Sequence, residues 1–175
     1  MVGTSWTVGA FDETQLQKLQ LLGESCPSCD LSWAKLSKED LSGRNLTEAD
    51  LTQADLNGAN LSGANLTNAK LTGAHLGTAN LNKANLTWAD PSGANLTWAV
   101  LTEVNMTGAD LTKATLIFAK LSRSNLTNVT LTGADLAGAN LTGSDLSWAE
   151  LTGANLTGAK FCKTTMPDGA MTYSG

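Results

Sequence analysis

Bulky side chains are scarce in this sequence. Aromatic residues make up 5% of the 175, where a globule of this size would normally carry more aromatic and β-branched bulk, so a thin interior of small apolar residues is expected. There is one histidine, His75, with Lys70 and Asn80 at neighbouring outward positions, the setting of an ordinary surface residue. No glycine-rich phosphate loop and no isolated pair of carboxylates stands out, which argues against an enzyme. No apolar run approaches the roughly 20 residues of a membrane span, and no secretory segment follows Met1. Membrane insertion is therefore not expected. The location is either cytoplasmic or, if a targeting segment has been removed, a compartment beyond a membrane. Basic residues are outnumbered 11 to 16, and the net charge of −5 disfavours direct nucleic-acid binding.

Against these absences stands one dominant regularity. From Leu31 to Phe161 a bulky apolar residue falls on every fifth position, 27 times without an insertion, with Pro91 and Met106 the only other departures from leucine. Two residues before nearly every such slot stands Ala or another small residue, and one residue after it Ser or Thr. A period of five fits neither standard element. On a helix, successive leucines would rotate by roughly 140° and spread around the cylinder. In a flat strand they would alternate between faces. They share one interior only if the chain turns once per pentapeptide, coiling about an axis and stacking so that backbone groups pair between coils. Stability then comes from neighbouring coils and not from a central core.

The units Ala49-Asp50-Leu51, Ala59-Asn60-Leu61-Ser62-Gly63 and Ala64-Asn65-Leu66 resemble those of the pentapeptide-repeat family, over about three quarters of the chain. The resemblance implies an all-β fold, a right-handed quadrilateral β-helix with four pentapeptides per coil, here a solenoid of about seven coils. The recurrence of Asn45, Asn65, Asn85, Asn105 and Asn125 at twenty residues agrees with the four. The stretch Phe161 to Gly169, with a helix and a C-x-x-C at the other end, is similar to cyanobacterial members, some of them in the thylakoid lumen. It thus implies a thylakoid lumen or periplasmic location for a processed chain.

The chain divides into four segments. Residues 1–10 read as a flexible lead-in. Residues 11–30 hold a short capping helix and the C-x-x-C: Asp12 is the N-cap, Gln15 completes a capping box, Leu16, Leu19 and Leu22 form one apolar face, and Gly23 stops it. Residues 31–165 are the β-helix, and 166–175 a C-terminal tail. Cys26 and Cys29 follow a helix instead of opening one, and no second pair exists for zinc, which leaves a disulfide or free thiols at the cap. Cys162 is expected to be unpaired, about 30 Å away along the stack at roughly 4.8 Å per coil. Glu39 and Arg44 occupy slots where Ala is the rule, so either they pair or the first coil splays. Pro91 should interrupt one coil-to-coil bond.

Function then falls to the outer surface. Read every twentieth residue, one column gives Asp30, Asp50, Lys70, Asp90, Asp110, Thr130 and Glu150, an acidic stripe; a second gives the Asn45 to Asn125 ladder; a third contains Lys83, Glu103 and Arg123. Trp33, Trp88, Trp98, Phe118 and Trp148 all sit two residues after the slot, pointing outward, and Trp98 and Phe118 should stack on adjacent coils. The stripe reads either as drift within a slot that favours Asp and Asn or as a surface for a basic partner, with Asp50, Asp90 and Asp110 next to Trp98 and Phe118 as the candidate contact. The expectation is a non-enzymatic structural or protein-binding module without cofactor or metal, monomeric or weakly dimeric, with an unknown protein partner. The resemblance supplies one alternative, a DNA mimic that binds gyrase, although Lys38, Lys70, Lys83, Lys113, Lys120 and Arg123 interrupt the negative field.

Overall fold

Each pentapeptide makes one turn and one step of a ladder. The computed structural model describes residues 25–173 together with Thr14, Gln17 and Leu19. At Leu31 the turn is closed by the Ala34 N–H donating to the Leu31 carbonyl at 3.1 Å, while Trp33 between them has φ of 62°. A positive φ at the third of four residues is the signature of a type II turn. The pattern recurs along the repeat, and among the described residues it puts 17 non-glycine positions, aromatics included, at φ between 55° and 62°.

The residue that follows each small slot forms the ladder. Asp30 bridges Asp50 in parallel, Lys35 bridges Asp55, Asp40 bridges Asn60 and Asn45 bridges Asn65, each twenty residues apart, so one coil is four pentapeptides. Four columns of bridging residues result, and they define four sides. The first runs from Asp30, the second from Lys35, the third from Asp40 and the fourth from Asn45. Coil-to-coil hydrogen bonds come in repeating pairs, as in Leu51 N–H to Lys70 carbonyl at 2.7 Å and Lys70 N–H to Ala49 carbonyl at 2.9 Å. The twist and β-branched residues of a long strand are unnecessary, because each side contributes only one bridged residue between turns.

Leucine and alanine point to the axis. The slot residues from Leu31 to Leu146 and the alanines two residues before them are buried, most at 0–1% exposure. Where the small slot holds a hydroxyl instead, the polar atom is satisfied from within: Ser124 donates to the Leu121 carbonyl, and Ser144 and Thr164 to that of Leu141, each at 2.6 Å. Glu39 and Arg44 are half-exposed without the coil splaying, since the Asn60 N–H donates to the Glu39 carbonyl and the Asn65 N–H to the Arg44 carbonyl, each at 2.9 Å, and Arg44 Nε is buried without a hydrogen-bond partner.

Pro91 breaks the ladder where the sequence places it. The bridges on the first side run from Asp30 to Asp90 and from Asp110 to Glu150, with none between Asp90 and Asp110. Proline has no N–H to give to the Asp110 carbonyl, while the other bond of that pair, Asp110 N–H to Ala89 carbonyl at 3.0 Å, survives.

The two ends differ. Cys26 and Cys29 are in phase with the repeat, in a leucine slot and a small slot, and the Cys26 N–H donates to the Asn45 carbonyl at 2.8 Å. Of the expected capping helix, Thr14 and Gln17 are helical and Leu19 is buried at 2%; the remainder lies outside the described residues, as does the 1–10 lead-in. At the other end Met166 is the last residue in phase. Met171 leaves it: it pairs antiparallel with Thr165 and is 50% exposed, so the tail turns back along the last coil.

Candidate functional site

The side-chain chemistry of the surface is mostly local. The Asp or Asn before each leucine accepts from the backbone N–H two residues on, as in Thr52 to Asp50 at 3.0 Å and Ser92 to Asp90 at 3.0 Å. The hydroxyl after the leucine often joins it, as in Thr87 Oγ1 to Asn85 Oδ1 at 2.5 Å. This Asx turn fastens the corner and explains why Asp or Asn precedes the slot and Ser or Thr follows it.

On the first side the carboxylates are therefore partly engaged. Burial pushes the Asp50 carboxyl up, but the Thr52 hydroxyl and amide and the nearby Lys70 together hold it below the ordinary range. Lys70 Nζ lies 3.6 Å from Asp50 Oδ2. Burial likewise raises Asp90, and hydrogen bonds from Ser92 and Thr72 more than offset it. On the second side, at Asp55, the Ser37 hydroxyl, donating at 2.5 Å, is the main cause of a lowered value.

The amide ladder lies elsewhere than expected. On the fourth side Asn45, Asn65, Asn85, Asn105 and Asn125 bind mainly their own turns, with one cross-coil bond from Asn85 to Thr67 at 3.0 Å. A longer run appears on the third side, where Asn60 donates to Asp40 at 3.0 Å and Asn80 to Asn60 at 3.2 Å. The charged column is a true ladder, with Glu103 between Lys83 at 3.7 Å and Arg123 at 2.9 Å. All three side chains are more than one-third exposed, so each pair is worth little.

Cys26 and Cys29 form a disulfide, with Cα atoms 5.5 Å apart, and both are buried; Cys162 is free. The pair closes one four-residue turn at the start of the first coil, substituting a covalent link for the leucine–alanine contact. Among the described residues no three His, Cys, Asp or Glu side chains converge to hold a metal ion.

Trp33, Trp88, Trp98, Phe118 and Trp148 are all exposed, between 47% and 79%. Trp98 and Phe118 stack with ring centres 4.5 Å apart and planes 22° from parallel. Trp88 and Phe118 also lean along the rod onto glycines. A β-carbon on Gly108 would collide with Trp88 Cζ3, and one on Gly138 with Phe118 Cε1. Trp98 and Phe118 are at the corner between the second and third sides. The Pro91–Ala94 turn and the Asn95–Thr115 step of the second side separate them from Asp90 and Asp110, so the aromatic pair and the acidic column do not share an edge.

A four-sided solenoid of in-phase pentapeptides, with its polar atoms mostly spent on its own corners, is the class these observations define. The model for pentapeptide repeats matches eight copies, over residues 28–63, 59–90, 92–128 and 131–166, and the chain belongs to that family. Among solved structures it is similar to HetL, a pentapeptide-repeat protein involved in heterocyst differentiation regulation from the cyanobacterium Nostoc sp. strain PCC 7120, at 34% identity over 86% of this chain and 88% of that one, with a TM-score of 0.36. It is also similar to AT2G44920 from the Arabidopsis thaliana thylakoid lumen, at 28% identity over 74% and 66%, TM-score 0.26. QnrB1, a plasmid-mediated fluoroquinolone resistance protein, matches at 20% identity over 78% of each chain, TM-score 0.45. At these scores the superpositions carry no argument, and the family assignment rests on the repeat model and the identity to HetL. No curated protein sequence matches significantly.

Proposed function

We propose that the protein is a non-enzymatic rod, right-handed and about seven coils long with a helical N-terminal cap, that presents a fixed surface to a protein partner. The observation that carries this reading is the exposed Trp98–Phe118 stack in the middle of the rod. Rings in left-handed backbone cost the fold about 1–2 kcal/mol each relative to glycine, and the half of each ring that is buried returns a similar amount, so the remaining exposed half serves no need of the fold. Stacked, half-exposed aromatics are the kind of anchor that binding surfaces use. Asp50, Asp90 and Asp110 lie a full side away, so a partner gripping the pair meets them only by wrapping a corner.

Replacing Trp98 and Phe118 with Thr leaves the Leu and Ala interior untouched. The expected result is unchanged thermal unfolding together with loss of a partner recovered from native extract; full retention of that partner would remove the pair from the contact. A thylakoid-lumenal or periplasmic location after removal of a targeting segment suits the Cys26–Cys29 disulfide, since such links persist in oxidising compartments. A monomeric or weakly dimeric rod is consistent with its polar sides. The gyrase-binding alternative requires a continuous acidic field, which Lys70 and Thr130 interrupt; an unaffected supercoiling assay would eliminate it.

A further inference from the structure

We infer that the docking surface beside the aromatic pair accepts an acidic protein segment, with the third side of the rod supplying the positive charge. The inference rests on the Trp98–Phe118 reading above and adds the chemistry of the partner. The register decides which charges adjoin the pair. Trp98 leads through Ala99 into Val100, and Phe118 through Ala119 into Lys120; Val100, Lys120, Asn140 and Lys160 then bridge one another in order down the third side. At the far corner of that side, the Arg123 N–H binds the Thr142 carbonyl and the Gly143 N–H that of Cys162, which stacks Arg123, Gly143 and Lys163.

Lys120, Arg123, Lys160 and Lys163 are all exposed. The one carboxylate in their columns at this level, Glu103, is shared between Lys83 and Arg123. Lys120, Lys160 and Lys163 make no ion pair among the described residues. The nearest carboxylates on the flanking sides, Asp135 and Asp145, have Oδ1 committed to their own turns, at 3.0 Å from the Ala137 N–H and 2.9 Å from the Ser147 N–H. At about 4.8 Å per coil, Lys120 and Lys160 stand roughly 10 Å apart, between the roughly 7 Å of alternate residues and the roughly 13 Å of every fourth residue in an extended segment, a difference that the long flexible lysine side chains take up. An apolar edge of Trp98, Phe118 and Val100 bordering unpaired cations is complementary to an acidic segment with an apolar anchor. The Asp column is on the opposite side of the rod, so charge differs in sign across the molecule. Polyanionic nucleic acid is disfavoured by the net charge of −5.

The test uses three labelled probes on the intact chain: a twelve-residue peptide alternating Glu with Leu and Phe, the same peptide with Lys for Glu, and a twelve-nucleotide oligothymidylate, each followed by fluorescence anisotropy. The expected result is preference for the acidic peptide, weakened at least tenfold by Lys120→Glu with Lys160→Glu and by Trp98→Thr with Phe118→Thr. Asp90→Lys with Asp110→Lys, on the opposite side, should leave it within twofold. Circular dichroism of every variant checks that the rod persists, and Lys120→Gln with Lys160→Gln, which only removes charge, should weaken binding in the same direction. Preference for the basic peptide that still requires Trp98 and Phe118 would overturn the acidic-partner inference and leave the docking reading standing. Preference for the oligonucleotide would overturn the inference in favour of a nucleic-acid surface. Binding of none of the probes, or binding indifferent to all four variants, would overturn it as well, and the docking reading would then stand or fall by the extract experiment alone.

Discussion

Pro91→Leu should make the rod more stable, which is an unusual expectation for a substitution at a buried position. Three contributions set the sign. A backbone N–H at position 91 restores the bond to the Asp110 carbonyl and with it the missing Asp90–Asp110 step, for a net gain of about 1 kcal/mol. One more buried carbon, in a slot that is leucine in the coils above and below at Leu71 and Leu111, adds about 0.8 kcal/mol. Loss of the proline restraint on the unfolded chain subtracts about 0.4–1 kcal/mol. The sum is roughly +1 kcal/mol, or a rise in Tm of about 2–4 °C for a chain of this size. Thermal unfolding by circular dichroism reads the total, and hydrogen exchange of the new amide at position 91 reads the bond itself. An unprotected amide there, with no rise in Tm, would refute the reasoning, because it would mean that coil-to-coil bonding at this step is limited by something other than the missing donor.

The remaining predictions concern the corners and the ends. Gly93→Ala, which meets nothing within 4 Å but has φ of 63°, should cost about 1 kcal/mol of stability, and Gly108→Ala more, because its β-carbon meets the Trp88 ring; adding Trp88→Ala should recover the difference between them. Asp40, Asp50, Asp55 and Asp90 have carboxyls held below the ordinary value. Their contribution is therefore fully present above about pH 4 and lost as pH falls through their lowered values. A Tm that was flat from neutral pH to about 4 and fell below it would agree, and one that rose on acidification would not. Reduction of the Cys26–Cys29 disulfide, which closes a four-residue loop, should cost about 2 kcal/mol, with faster exchange confined to amides of the first coil such as Cys26 and Ser28; uniform loosening of the whole rod would contradict the local role.

The sequence by itself determined the interior. A leucine every fifth residue with a small residue two before it permits only a chain that turns once per pentapeptide, and the burial of Leu31 to Leu146 follows from that spacing alone. The break at Pro91 and the outward aromatics were equally legible, since a missing N–H and a slot phase are both one-dimensional facts. The left-handed backbone two residues after each leucine was also written there, in the glycines that share the slot with Trp, Lys and Asn, but a mixed column hides the signal. Asp and Asn before the leucine looked like drift or an acidic stripe. Only the turn geometry, with Oδ1 within 3 Å or so of the amide two residues on, showed that this slot caps its own corner.

Tertiary structure alone decided which columns are neighbours. Phase along the chain gives the order of the four sides, but which charges border the aromatic pair depends on where each corner falls between bridged steps. The twenty-residue bridges put Lys160 in line with Lys120, two residues past Phe118, and leave Asp90 beyond the Asn95–Thr115 step. Tertiary structure also turned the tail back at Met166, although Met171 keeps the five-residue spacing. A periodic sequence continues its pattern at no cost, whereas in space the strand returns because the Met166 N–H donates to the Ala170 carbonyl at 2.7 Å and the Thr172 N–H to the Thr164 carbonyl at 2.9 Å, at an edge that the coils leave open.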